Sequence, residues 1–99
     1  MCKNKRKATK RTDDFLSKQS TIYALINRYG VWEVCQYKFA RGYSEFGEPY
    51  VWHFNDSDGC YHKMVLTQTT NHYVKAWGFI PEIIQSRAKE LNQSNNKNI

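Results

Sequence analysis

Proline and glycine are scarce, with two and five in 99 residues. The chain is therefore neither a Pro-rich spacer nor a low-complexity polymer. No apolar run approaches the roughly 20 residues of a membrane span. The basic start is not followed by an apolar segment, so no secretory signal and no membrane contact are expected. Cysteine is sparse too. Cys2, Cys35 and Cys60 are an odd number, at spacings that match no zinc or disulfide framework. They read as reduced thiols in a cytoplasmic setting. No P-loop, dinucleotide fingerprint or G-x-S-x-G motif occurs, so no enzyme activity and no cofactor is expected.

Aromatic residues make up 15% of the chain and hydrophobic residues 40%. Large rings bury much area per residue, and this content supports one packed domain and no more. Charge is unevenly placed. Fifteen Lys and Arg face nine Asp and Glu, a formal net charge of +6. Lys3, Lys5, Arg6, Lys7, Lys10 and Arg11 precede every acid. Subtracting these six from 15 leaves nine basic against nine acidic residues from Thr12 onward. The excess thus lies within residues 1–11, which read as a flexible basic arm. Its six cations are candidate contacts to RNA or DNA, each phosphate contact adding a salt-dependent increment of affinity.

Residues 12–30 read as a helix. Thr12 can cap it, Asp13 and Asp14 suit its first turn, and Phe15, Ile22, Leu25, Ile26 and Tyr29 recur at helical spacing, with Gly30 as the stop. Residues 31–40 read as a strand rich in Val, Trp, Tyr and Phe. Residues 41–49 read as a loop. Tyr50–Leu66 reads as a hairpin around Asp56–Gly59, because Asp-Gly favours the positive φ of a tight turn. A turn at 68–71, a strand at 72–79 and a second helix opened by Pro81 and Glu82 follow. Residues 92–99 read as a polar tail. The expected fold is α+β: an antiparallel β-meander of about four strands, with an N-terminal and a C-terminal helix packed on one face, over residues 12–91.

Any even-length hairpin loop puts Tyr50, Trp52, Phe54, Tyr61, Lys63 and Val65 on one face. Val51, His53, Cys60, His62, Met64 and Leu66 share the other. The first face offers the larger apolar area and is expected to lie under the helices, leaving His53 and His62 more accessible. His53, Cys60 and His62, with Cys35 as a fourth ligand, have the chemistry of a zinc site. Strand alternation already accounts for their pattern, so no metal is expected. A Cys60/His62 nucleophile pair would sit about 6.5–7 Å apart along the strand, too far for a direct bond. Four aromatics on the Trp52 face resemble in kind a stacking platform for unpaired bases, but only Lys63 supplies charge within the hairpin.

In the 41–49 loop, Arg41, Tyr43 and Phe46 are residue types enriched at partner contacts, and Glu45 sits among them. With His53 and His62 they form the candidate partner surface. The expected function is a non-enzymatic binding protein that covers a protein or nucleoprotein partner. In size and composition alone, it has the general character of small phage and mobile-element inhibitors, including anti-CRISPR proteins. The alternative is an RNA- or ssDNA-binding protein using the arm and the sheet aromatics. An open apolar sheet face would also permit a homodimer.

Overall fold

The computed structural model describes residues 5–70 and 73–96. In chain order the elements are β1 (Lys5–Lys7), α1 (Lys10–Ser17), β2 (Thr21–Arg28), β3 (Val31–Tyr43), β4 (Pro49–Asn55), β5 (Cys60–Val65), α2 (Leu66–Thr70), β6 (Val74–Gly78) and α3 (Pro81–Asn96). The strands form one antiparallel six-stranded sheet in the order β1-β5-β4-β3-β2-β6. The expected four-strand meander with two terminal helices is therefore too small. A meander does run from β2 to β5, but β1 extends it at one edge and β6 crosses over to pair with β2 at the other.

The main departure lies at residues 21–28, expected in a helix and found in a strand. Ile22, Leu25 and Ile26 satisfy helical spacing, yet Ile22, Ala24 and Ile26 also alternate with Tyr23 and Leu25. Both faces of β2 are covered, so the polar half of the alternation that marks a strand is missing. Ile22, Ala24 and Ile26 form one core cluster with Val51 and Leu66, flanked by Cys35, Tyr37, Val74 and Trp77. Leu25 points the other way, into a second cluster with Ile84 and Ala88 of α3. Gly30 ends no helix. Tyr29 (φ 53°) and Gly30 (φ 85°) form the two-residue hairpin turn joining Arg28 to its partner Val31. Positive φ at both positions matches the twist that paired strands need.

The basic arm is also a correction. Residues 5–7 pair with β5 in the register Lys5↔His62, Arg6↔Tyr61 and Lys7↔Cys60. Lys10 and Arg11 open α1, which Thr9 caps by accepting the Thr12 amide at 3.2 Å. Two cations in a first turn oppose the helix dipole, and Asp13 offsets them. A Lys- and Arg-rich segment suits the outermost position of a sheet, where charge discourages pairing with other chains. Lys3 lies outside the described residues. At the other end α3 continues to Asn96, so residues 92–96, expected in a polar tail, are helical, and residues 97–99 lie outside the described residues; Asn92 holds the Trp32 amide and carbonyl at 3.0 Å each.

The 56–59 hairpin has the four-residue-loop register, with Asn55 opposite Cys60 and His53 opposite His62. Its burial reverses the expectation. Val51 and Leu66, on the His53 face, are fully buried and Cys60 nearly so, while Phe54 on the Trp52 face is 38% exposed. Helix α3 covers the Trp52 side of the sheet only over β2, β3 and β6. The part over β4 and β5 is left half open.

Candidate functional site

Three surfaces carry the side chains singled out above. The first surrounds Asp58 in the 56–59 turn. Its Oδ2 accepts from Lys5 Nζ at 3.1 Å and contacts His62 Nε2 at 2.8 Å, and its Oδ1 accepts the Cys60 amide at 3.0 Å. Partial desolvation raises its pKa, but the hydrogen bonds from Lys5, the Cys60 amide and His62, with the charge of His62, outweigh it and hold the carboxyl at about 2 rather than 3.8. This cluster ties β1 to the hairpin. A depressed carboxylate stabilises the fold above its unfolded pKa and loses that contribution as pH falls through the folded value. The Asp58 carboxyl carbon should therefore titrate near pH 2 by NMR, with the protection of the Lys5–Lys7 amides, relative to an unfolded chain at the same pH, falling between pH 4 and 2. Titration near 3.8 would show the cluster to be unformed.

His62 is thus engaged by a carboxylate, and His53, directly opposite, is exposed. Cys60 is disulfide-bonded and Cys35 is free, which corrects the expectation of three reduced thiols. The one other cysteine, Cys2, lies outside the described residues. A sulfur in a disulfide is neither a thiolate ligand nor a nucleophile, so the His53/Cys60/His62 zinc set and the Cys60/His62 pair are not assembled. Burial, ahead of the opposing pull of Arg28, pushes the Cys35 thiol up, away from the reactive thiolate form. Among the described residues no three His, Cys, Asp or Glu side chains converge as metal ligands.

The second surface grows from the 41–49 segment. Arg41 (φ 60°) and Gly42 form a bulge in β3, and a side chain at Gly42 would press on the Tyr50 ring at 3.2 Å. The bulge carries Tyr43 back across the sheet end, where its ring lies 5.6 Å from Phe39 and 5.9 Å from Trp77. Phe79 joins them, 5.3 Å from Phe39 and 6.4 Å from Trp77. Ile80 and Ile83 continue this patch onto α3. Exposure is 52% for Tyr43, 43% for Phe79, 54% for Ile80 and 61% for Ile83. A notch of ≈ 150 Å³ opens between Trp77, Phe79, Ile80 and Ile83. Phe46 does not fold back. It stands 84% exposed at the tip of a turn in which Ser44 Oγ accepts the Phe46 and Glu48 amides.

The six candidate partner residues are therefore not one surface. Arg41, Tyr43, Glu45 and Phe46 cluster at one end of β3 and β4, and His53 and His62 sit about 13 Å along the strands from it. Trp77, Phe79 and Ile83 were missed. The available signal was Ile83, an apolar residue off the buried Ile84–Ala88–Leu91 stripe of its own helix.

On the third surface Arg6 reaches over the Trp52 face, its guanidinium 4.2 Å from the Phe15 ring centre and 5.9 Å from that of Trp52. Lys5 is held by Asp58, Lys7 lies opposite Cys60, and Lys10 and Arg11 are exposed on α1. The cations expected in an arm are thus spread around one edge of a folded sheet.

Compared with known protein families, curated proteins and solved structures, the chain matches none. Among the described residues no helix is long and apolar enough to cross a membrane.

Proposed function

We propose that the protein is a non-enzymatic binding protein that covers a protein or nucleoprotein partner with the Tyr43–Phe79–Ile83 patch. One observation carries this reading: four rings in mutual contact, continued by two exposed isoleucines, border an edge strand of the sheet. Contiguous apolar surface of this kind marks interaction sites on soluble domains. Strand β6 is the outermost strand on that side. A groove of ≈ 600 Å³ runs beside it, lined by Ala76 and Trp77 and by Ile83, Ile84 and Arg87 of α3. The same groove is also lined by Glu82, Ser86 and Glu90, and an edge strand flanked by such a mixed groove suits a partner segment in extended conformation, which adds a strand and places alternate side chains in the groove. A compact domain of this form works by occlusion, in the manner of small phage-type inhibitors. The expectation of a cytoplasmic setting rested on three reduced thiols, and the Cys60 disulfide withdraws that support.

The test is affinity purification from the native host, with and without nuclease, comparing the wild type with the triple variant Tyr43→Ala, Phe79→Ala, Ile83→Ser. All three side chains are at least 43% exposed, so the variant should keep its circular dichroism spectrum. A specific protein partner should be recovered with the wild type, survive nuclease, and fall about tenfold or more in the variant, the scale of hot-spot truncation. Equal recovery with both chains would sink the reading. A wild-type homodimer that the same substitutions dissociate would assign the patch to self-association instead.

A further inference from the structure

We infer that the open half of the Trp52 face is a binding site for single-stranded nucleic acid, distinct from the patch beside β6. Cross-strand register builds two rows there. Arg6 lies opposite Tyr61, and Tyr61 opposite Phe54; Lys63 lies opposite Trp52, and Trp52 opposite Lys38. Opposed residues share a face, so cations from β1, β5 and β3 alternate with rings from β4 and β5. No strand position on this face between β1 and β3 holds an acid. At its rim Asp13 accepts the Tyr61 hydroxyl at 2.8 Å, and Asp58 accepts from Lys5 Nζ at 3.1 Å. A groove of ≈ 660 Å³ opens there, lined by Lys5, Arg6, Phe15, Ala40, Trp52 and Lys63.

The chemistry selects the ligand. Lys63 Nζ lies 5.6 Å from the Tyr50 ring, and Arg6 lies over Phe15, so each cation is held at an aromatic surface, and among the described residues neither forms an ion pair with a carboxylate. Lys38 donates to Thr21 Oγ1 at 3.0 Å and has further ammonium donors to offer. Rings flanked by such cations match a ligand that presents flat bases and phosphates at alternate positions. Trp52 and Phe15 line the groove, so a base that stacks there must be unstacked and splayed, which single strands allow and a duplex does not. A flexible arm would attract any polyanion; these cations are fixed beside stacking surfaces.

The test is fluorescence anisotropy with labelled oligo(U) and oligo(dT), a duplex of equal length, and inorganic tripolyphosphate as competitor. One or both single strands should bind more tightly than the duplex and resist tripolyphosphate. The RNA and DNA arms decide which sugar the site accepts. Trp52→Ala should weaken binding roughly tenfold or more, the usual size of losing one stacked base, while Trp52→Phe retains most of the affinity. Arg6→Ala with Lys63→Ala should flatten the dependence of log K on log salt by about 1.4, two phosphate contacts' worth. Should Trp52→Ala fail to fold, the exposed Lys63→Glu must show the loss instead. The triple patch variant should bind nucleic acid normally, which separates this site from the proposed protein interface. Failure of both single strands to bind, or equal binding of duplex and tripolyphosphate unaffected at Trp52 and Lys63, would overturn the assignment.

Discussion

Leu25→Ala should lower the unfolding free energy by about 2–5 kcal/mol, the range for a fully buried leucine reduced to alanine. Leu25 is fully buried and is the centre of the contact between β2 and α3, where Ile84 and Ala88 meet it. The loss comprises the transfer of the deleted carbons and the cavity left beside a helix held mainly by that cluster. A domain of this size has only about 5–15 kcal/mol to lose. The urea midpoint should fall sharply with the m-value unchanged. Were residues 12–30 the amphipathic helix that their spacing suggests, Ala24 would lie away from the core. Its complete burial, between Cys35 and Trp77 of the neighbouring strands, belongs to a strand covered on both sides. A Leu25→Ala midpoint within error of the wild type would contradict that placement.

Removing residues 1–9 should cost about 2–4 kcal/mol, and a free arm would cost nothing. The truncated chain loses the Thr9 cap of α1, worth about 1 kcal/mol. It also loses the β1–β5 ladder and the Ala8 amide bond to the Gly59 carbonyl at 3.0 Å, with each such bond worth about 1 kcal/mol. The comparison is made in a Cys60→Ala background, where neither chain has a disulfide at Cys60. An unchanged midpoint would show that β1 adds nothing to the fold. The same truncation should abolish the Arg6 contribution to nucleic-acid binding while leaving that of Lys63, because the two cations arrive on different strands.

The hairpin from Tyr50 to Leu66 was legible because its turn residues demand special backbone angles and its even loop leaves one partition of side chains. The strand at 31–40 and the helix from Pro81 were legible for similar local reasons. Which hairpin face is buried was not. Both faces carry large apolar groups, and the choice depended on Val51 and Leu66 meeting β2, a strand 25 or more residues earlier. The candidate partner surface was half legible. Tyr43 stood out as an aromatic in a polar loop, but Trp77 and Phe79 join it only because β6 crosses to the far edge of the sheet. Within the hairpin sequence the stacking platform has only Lys63 for charge. Arg6 and Lys38 add to that charge from strands whose pairing local patterns do not encode.

Local chemistry along the chain determined the turns, the capping residues, the alternation within the hairpin and the location of the charge excess. Those depend on φ preferences and short-range hydrogen bonds, which act over a few residues. Tertiary structure alone decided that 21–28 is a strand, that 5–7 is bound at an edge, and which rings and cations share a surface. Those outcomes depend on burial against distant segments, and a segment buried on all sides carries no polar positions to reveal its period.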